Sequence, residues 1–97
     1  MASSKDYLAF VLEQLSNADV TYKPMMGEFL LYYKGKLFGG IYDDRFLVKP
    51  TKETLAFMPD AKRELPYPGA KEMLLVEEVD DREYLAQLLS AIGNKPQ

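Results

Sequence analysis

The chain has 97 residues, 47% of them hydrophobic, and a formal net charge of −3. A chain of that length buries one core and leaves no room for a second functional domain, so residues 1–97 are expected to form a single domain. Neither His nor Cys occurs, which removes thiol catalysis, thiolate metal sites and the usual general base near neutral pH.

Charge is spread rather than clustered. Residues 21–50 carry five basic and three acidic side chains and residues 51–97 carry six and nine, so neither half is the basic patch that phosphate neutralisation requires, and direct nucleic-acid binding is not expected. The longest uncharged apolar runs, such as residues 29–33, are too short to span a bilayer, and the opening Met-Ala-Ser-Ser-Lys lacks the apolar segment of a secretory signal. A cytoplasmic protein is expected, and the lack of Cys agrees with that.

The first helix is predicted to start at Ser3 or Ser4, whose hydroxyl can cap the free amides of the first turn, with Asp6 where the helix dipole favours negative charge. Its stripe is Leu8, Val11, Leu12 and Leu15, and residues 16–19 end it. Val20, Thr21 and Tyr22 read as a strand, which Pro24 places at a sheet edge or stops, because proline cannot donate to the ladder. Met25, Met26 and Gly27 read as core filler or as the lining of a small apolar pocket.

Residues 29–34, 37–43 and 45–49 are three runs of aromatic and branched side chains separated by the turn pairs Lys34-Gly35 and Asp43-Asp44, which predicts an antiparallel meander. With two-residue turns, Leu30, Tyr32, Leu37, Gly39, Ile41, Phe46 and Val48 share one uncharged face, the expected core. The opposite face then collects Phe29, Leu31, Tyr33, Phe38, Gly40, Tyr42 and Leu47 among Lys36, Arg45 and Lys49. Two readings of that aromatic, cation-rimmed face stand: a docking surface for a protein partner or a second copy, or a surface that another segment of the same chain covers. Gly39-Gly40 in mid-strand marks a bulge or the close approach of another backbone, and a tightly packed helix is the expected cause.

Thr51 is the predicted cap of a short second helix over residues 52–58, with Leu55 and Met58 on one side and Pro59 as its stop. Residues 60–70, with Pro66, Pro68 and Gly69, read as an irregular loop that Tyr67 can pin to the body. Residues 71–76 are the expected last strand. The acidic run over residues 77–83 contains enough carboxylates for a hard cation, yet Asp80 as cap, Glu83 three residues on and a Val79–Tyr84 staple explain it as the start of the last helix. Tyr84, Leu85, Leu88, Leu89 and Ile92 form that helix's stripe, Gly93 ends it, and residues 94–97 are a flexible tail.

No catalytic constellation emerges. The four serines, Ser3, Ser4, Ser16 and Ser90, have no histidine to activate them, and the glycines fit neither a Walker loop nor a dinucleotide fingerprint. Asp43, Asp44 and Lys49 are the best candidates for carboxylate-based chemistry, but Asp43-Asp44 is accounted for by the turn.

One resemblance stands out. Lys23, Met25, Met26 and Gly27, followed by Tyr32 or Tyr33, Gly35 and the strand ending in Lys49, make the chain similar to the TfoX N-terminal domain family over most of its length. It departs from that pattern at Met26 and Glu28, where many members have Phe and a second Gly. The resemblance implies an α+β, two-layer fold like that of secretion chaperones, an antiparallel sheet with helices on one face. The expected order is one helix, three or four strands, a helix, a strand and a helix. It also implies a non-catalytic regulatory module that acts through a protein partner or as a homodimer, without cofactor or metal. The alternative is a small-molecule-binding domain or a carboxylate-based enzyme. The candidate interaction or pocket residues are Lys23, Met25, Met26, Gly27, Tyr33, Phe38, Tyr42, Arg45, Leu47 and Lys49.

Overall fold

The computed structural model describes residues 4–93, and within them runs α1 (Lys5–Leu15), β1 (Val20–Met25), β2 (Glu28–Tyr33), β3 (Lys36–Tyr42), β4 (Arg45–Val48), α2 (Lys52–Phe57), β5 (Arg63–Glu64), β6 (Met73–Leu75) and α3 (Arg82–Gly93). The strands make one open antiparallel sheet in the order β1-β2-β3-β4-β6-β5. Helices α1 and α3 lay their apolar stripes on one face of it, and α2 packs against α3. This is the expected α+β layering, with one strand more than expected: β5 lies in what reads from sequence as loop. Ser3 as an alternative cap and the tail at residues 94–97 lie outside the described residues.

The caps follow from local chemistry. Ser4 Oγ accepts from the Tyr7 amide at 3.1 Å and starts α1, and Leu8, Val11 and Leu15 are buried, each contributing about 2 kcal/mol of transfer free energy. Thr51 and Thr54 exchange side-chain-to-backbone hydrogen bonds in a capping box at α2. Thr54 is also buried, with its hydroxyl donating to the Lys49 carbonyl at 2.7 Å. Helix α3 is capped one residue later than expected: Asp81 Oδ1, rather than Asp80, accepts from the Tyr84 amide at 3.0 Å.

Three two-residue hairpin turns build the meander. Met26-Gly27, Lys34-Gly35 and Asp43-Asp44 all have positive φ at both central positions, the backbone hand that matches the twist of the strands they join. Met26 therefore fills no core: it sits at a hairpin tip with 97% of its surface exposed. Pro24 does sit on an edge strand, as expected. The Lys34 amide donates to the Asp19 carbonyl, so by alternation Val20, Tyr22 and Pro24 turn their backbone groups away from β2, and proline costs the ladder nothing there.

The turns have the expected length, but the expected faces fail halfway along the β2–β3 hairpin. Tyr33 pairs with Lys36 and Tyr32 with Leu37, and then a β-bulge makes Leu31 pair with Gly39 and Leu30 with Gly40. Phe38 is the extra residue, and it turns inward, 4% exposed, with its ring edge-on to Phe46 at 6.3 Å. A bulge shifts the alternation of everything beyond it by one residue. Phe29, Leu31, Tyr33 and Phe38 consequently face the helices, while Leu30, Tyr32 and Leu37 face away. Gly39, Ile41, Phe46 and Val48 keep the expected core face, because β3 and β4 pair without interruption. The close approach at Gly39 is strand to strand, not helix to strand: a Cβ there would sit 2.2 Å from the Leu47 carbonyl oxygen.

Candidate functional site

The face away from the helices is not bare. After β5 the chain runs along it as a strap, residues 65–70, with Tyr67 against Tyr42; Tyr42 and Leu47 on this face are 5% and 0% exposed. Proline and glycine hold the strap in an irregular path, and within it Pro66 is buried. The Tyr67 ring lies 6.3 Å from that of Tyr42. Arg45 clamps it: Nη1 donates to Glu64 Oε1 at 2.7 Å, Nη2 to the Pro66 carbonyl at 3.5 Å, and Nε to the carbonyl of Tyr42 at 3.1 Å. Burial raises the Tyr42 hydroxyl above its ordinary pKa, and Tyr67, Glu28 and Tyr32 raise it further.

Of the two readings of that face, the chain's own segment covers it. Tyr42 and Leu47 are therefore not exposed docking residues, Arg45 is a clamp rather than a rim cation, and Phe38 is core. Tyr33 is half-buried on the helix side, close to Gly93. Lys23, Met25, Met26 and Gly27 form the β1–β2 hairpin end, while Lys49 lies at the opposite end of the strands. The ten candidate residues are not gathered into one site.

The strap makes a surface of its own. Leu65 and Tyr67 are 47% and 52% exposed, and Leu37, which borders a groove with Tyr67, is 40% exposed. An open groove of about 360 Å³ runs on one side, lined by Asp43, Arg45, Leu65 and Tyr67. A second, about 480 Å³, runs between the strap and the sheet, lined by Leu37, Tyr42, Lys49, Tyr67, Lys71 and Met73. Sequence reasoning placed Leu37 in the core and passed over Leu65; the Pro-Tyr-Pro-Gly run was the one signal that a strap was there.

The acidic run separates in the same way. Glu77 and Glu78 line a cleft of about 220 Å³ with Asp60 and Tyr84, Glu77 pairs with Lys62 at 3.6 Å, and Asp81 caps α3. Among the described residues no group of three or more carboxylates stands close enough to hold a metal ion, and no helix is long and apolar enough to cross a membrane.

No family model matches the chain, and no solved structure matches it. It is 36% identical, over 80 residues that make up 81% of this chain and 70% of the relative, to the uncharacterized 12.7 kDa protein in trpE 5′ region of Spirochaeta aurantia. At that identity and coverage, the chain belongs to the same family as the Spirochaeta aurantia protein.

Proposed function

We propose that this protein is a non-catalytic, cytoplasmic interaction module, related in role to the TfoX N-terminal domain, that docks a protein partner on its strap. The observation that carries this reading is exposed Tyr67 standing between two open grooves, one bordered by exposed Leu65 and the other by exposed Leu37. Large apolar side chains flanked by polar groups are the composition of interface centres. A strap built on Pro66, Pro68 and Gly69 also presents Tyr67 at low entropic cost, since its backbone is already restricted. The reading moves the docking surface from the sheet face to the segment that covers it.

Tyr67→Asp tests it. With half its surface already in solvent, Tyr67 can carry a charge without burying it, so the variant is expected to keep its fold by circular dichroism. It should lose the partner that the wild-type protein captures from its native cell, with Lys52→Ala as the matched surface control. Equal capture of the same partner by Tyr67→Asp and wild type would rule the strap out as the docking surface.

A further inference from the structure

We infer that a small cavity beside the start of α2 binds the head group of a free α-amino acid. The cavity measures about 90 Å³ and is lined by Lys36, Leu37, Phe38, Lys49, Thr51 and Glu53, among others. Its distinguishing feature is Glu53 Oε1, which has no hydrogen-bond partner although it is shut off from solvent. An unsatisfied buried acceptor costs about 1–3 kcal/mol, more when charged, so a donor brought by a ligand would be stabilised there.

The neighbouring groups say what that donor belongs to. Neither Lys36 nor Lys49 has a salt bridge among the described residues, although both border the same cavity as Glu53. One carboxylate and two ammonium groups leave a net positive site, which a lone cation does not satisfy. A ligand with a cationic donor for Glu53 and an anionic group for Lys36 and Lys49 answers all three at once, and an α-amino acid is the smallest common molecule with both.

Size agrees. A dry cavity of about 150 Å³ takes a benzene ring, so 90 Å³ suits an ammonium, a Cα and a carboxylate but not a whole large side chain. Leu37 and Lys49 line this cavity and also the 480 Å³ groove under the strap. The side chain would extend over Leu37 into that groove, whose apolar lining favours an aliphatic residue such as leucine. The inference stands apart from the docking of a protein on the strap, because it rests on Glu53 and the two lysines, whichever surface a partner uses.

The test is calorimetric titration of the intact protein with L-leucine, N-acetyl-L-leucine and L-leucinamide. L-leucine should bind saturably, and each blocked compound, lacking either the ammonium or the free carboxylate, should bind at least about tenfold more weakly. Glu53→Gln should weaken L-leucine by a similar factor while leaving the circular dichroism unchanged, and Lys52→Met, on the same helix but outside the cavity, should bind as wild type. No saturable binding of L-leucine, or equal binding of the blocked compounds, or full binding by a folded Glu53→Gln protein would each overturn the proposal.

Discussion

The two faces of this sheet are sealed by different means. On one, Phe29, Leu31, Phe38, Ile41, Phe46 and Val48 meet the stripes of α1 and α3 in a continuous apolar core. On the other, Tyr42 and Leu47 are as deeply buried, yet what covers them is a short strap tied down by one arginine. The first seal is apolar area distributed over many side chains, so no single contact holds it. The second includes a few polar contacts at Arg45 and is expected to open at lower cost than the core.

The two faces differ most sharply at Phe38 and Leu37, adjacent residues whose expected faces the bulge exchanges. Phe38→Asp buries an unpaired charge among the core side chains and should cost more than about 4 kcal/mol, enough to collapse the thermal transition of a domain this small. Leu37→Asp, on the exposed side, should cost less than about 1 kcal/mol. Circular dichroism melts of the pair check this, and a folded Phe38→Asp protein would mean that the strand pairs without its bulge.

A smaller effect is expected at the clamp. Arg45→Met keeps the aliphatic stem and removes the bonds to Glu64 and Pro66, and because the ion pair is about one-third exposed on each side, the loss should be about 1–2 kcal/mol. For a domain of this size that corresponds to a fall in Tm of about 4–8 °C per kcal/mol. An unchanged Tm would show that the strap is held by Pro66 and Tyr67 packing alone.

The smallest effect depends on pH. Burial first, then Tyr67, Glu28 and Tyr32, raise the Tyr42 pKa above 10.0, so the folded state holds this proton more tightly than the unfolded state does. The stability it contributes is fully present below about pH 10 and is lost as pH rises through the raised folded value. Tyr7 and Tyr84 are raised by burial in the same direction, Tyr7 further by Asp44 and Tyr84 by Glu78. Urea melts above and below pH 10 should show stability falling with pH, and Tyr42→Phe should flatten part of that fall. An equal fall in the variant would place the titration at the other tyrosines.

Most of the fold was legible in the sequence because local chemistry set it. The Ser4 and Thr51 caps, the stripes of α1 and α3, the turns at Lys34-Gly35 and Asp43-Asp44 and the edge position of Pro24 each follow from residues within a few positions of one another. What failed was set at longer range. The bulge at Phe38 is decided by which of two apolar residues fits the helix-side core, and alternating apolar runs such as Leu37-Phe38 and Leu30-Leu31 do not distinguish the two registers. Gly39-Gly40 was the signal, since glycine in mid-strand marks a bulge as readily as a packed helix. The strap was illegible for a related reason: β5 is two residues long, Arg63 and Glu64, and pairs with β6 some ten positions on. Of the candidate site, Lys49 stays beside a groove and Tyr67 was placed correctly as a pin. Glu53 carried no signal, because the cavity it lines is shared with Leu37, Phe38 and Ile92, which come from other elements.

Amide hydrogen exchange, followed residue by residue in wild type and Arg45→Met, tests the unequal sealing most directly. Faster exchange is expected at Arg63, Glu64, Leu65, Tyr67, Gly69 and Ala70 of the variant, with Val11, Phe46, Leu85 and Leu88 as protected as in wild type. Equal acceleration at those core positions would show that the strap and the core open as one unit, and would contradict the unequal sealing.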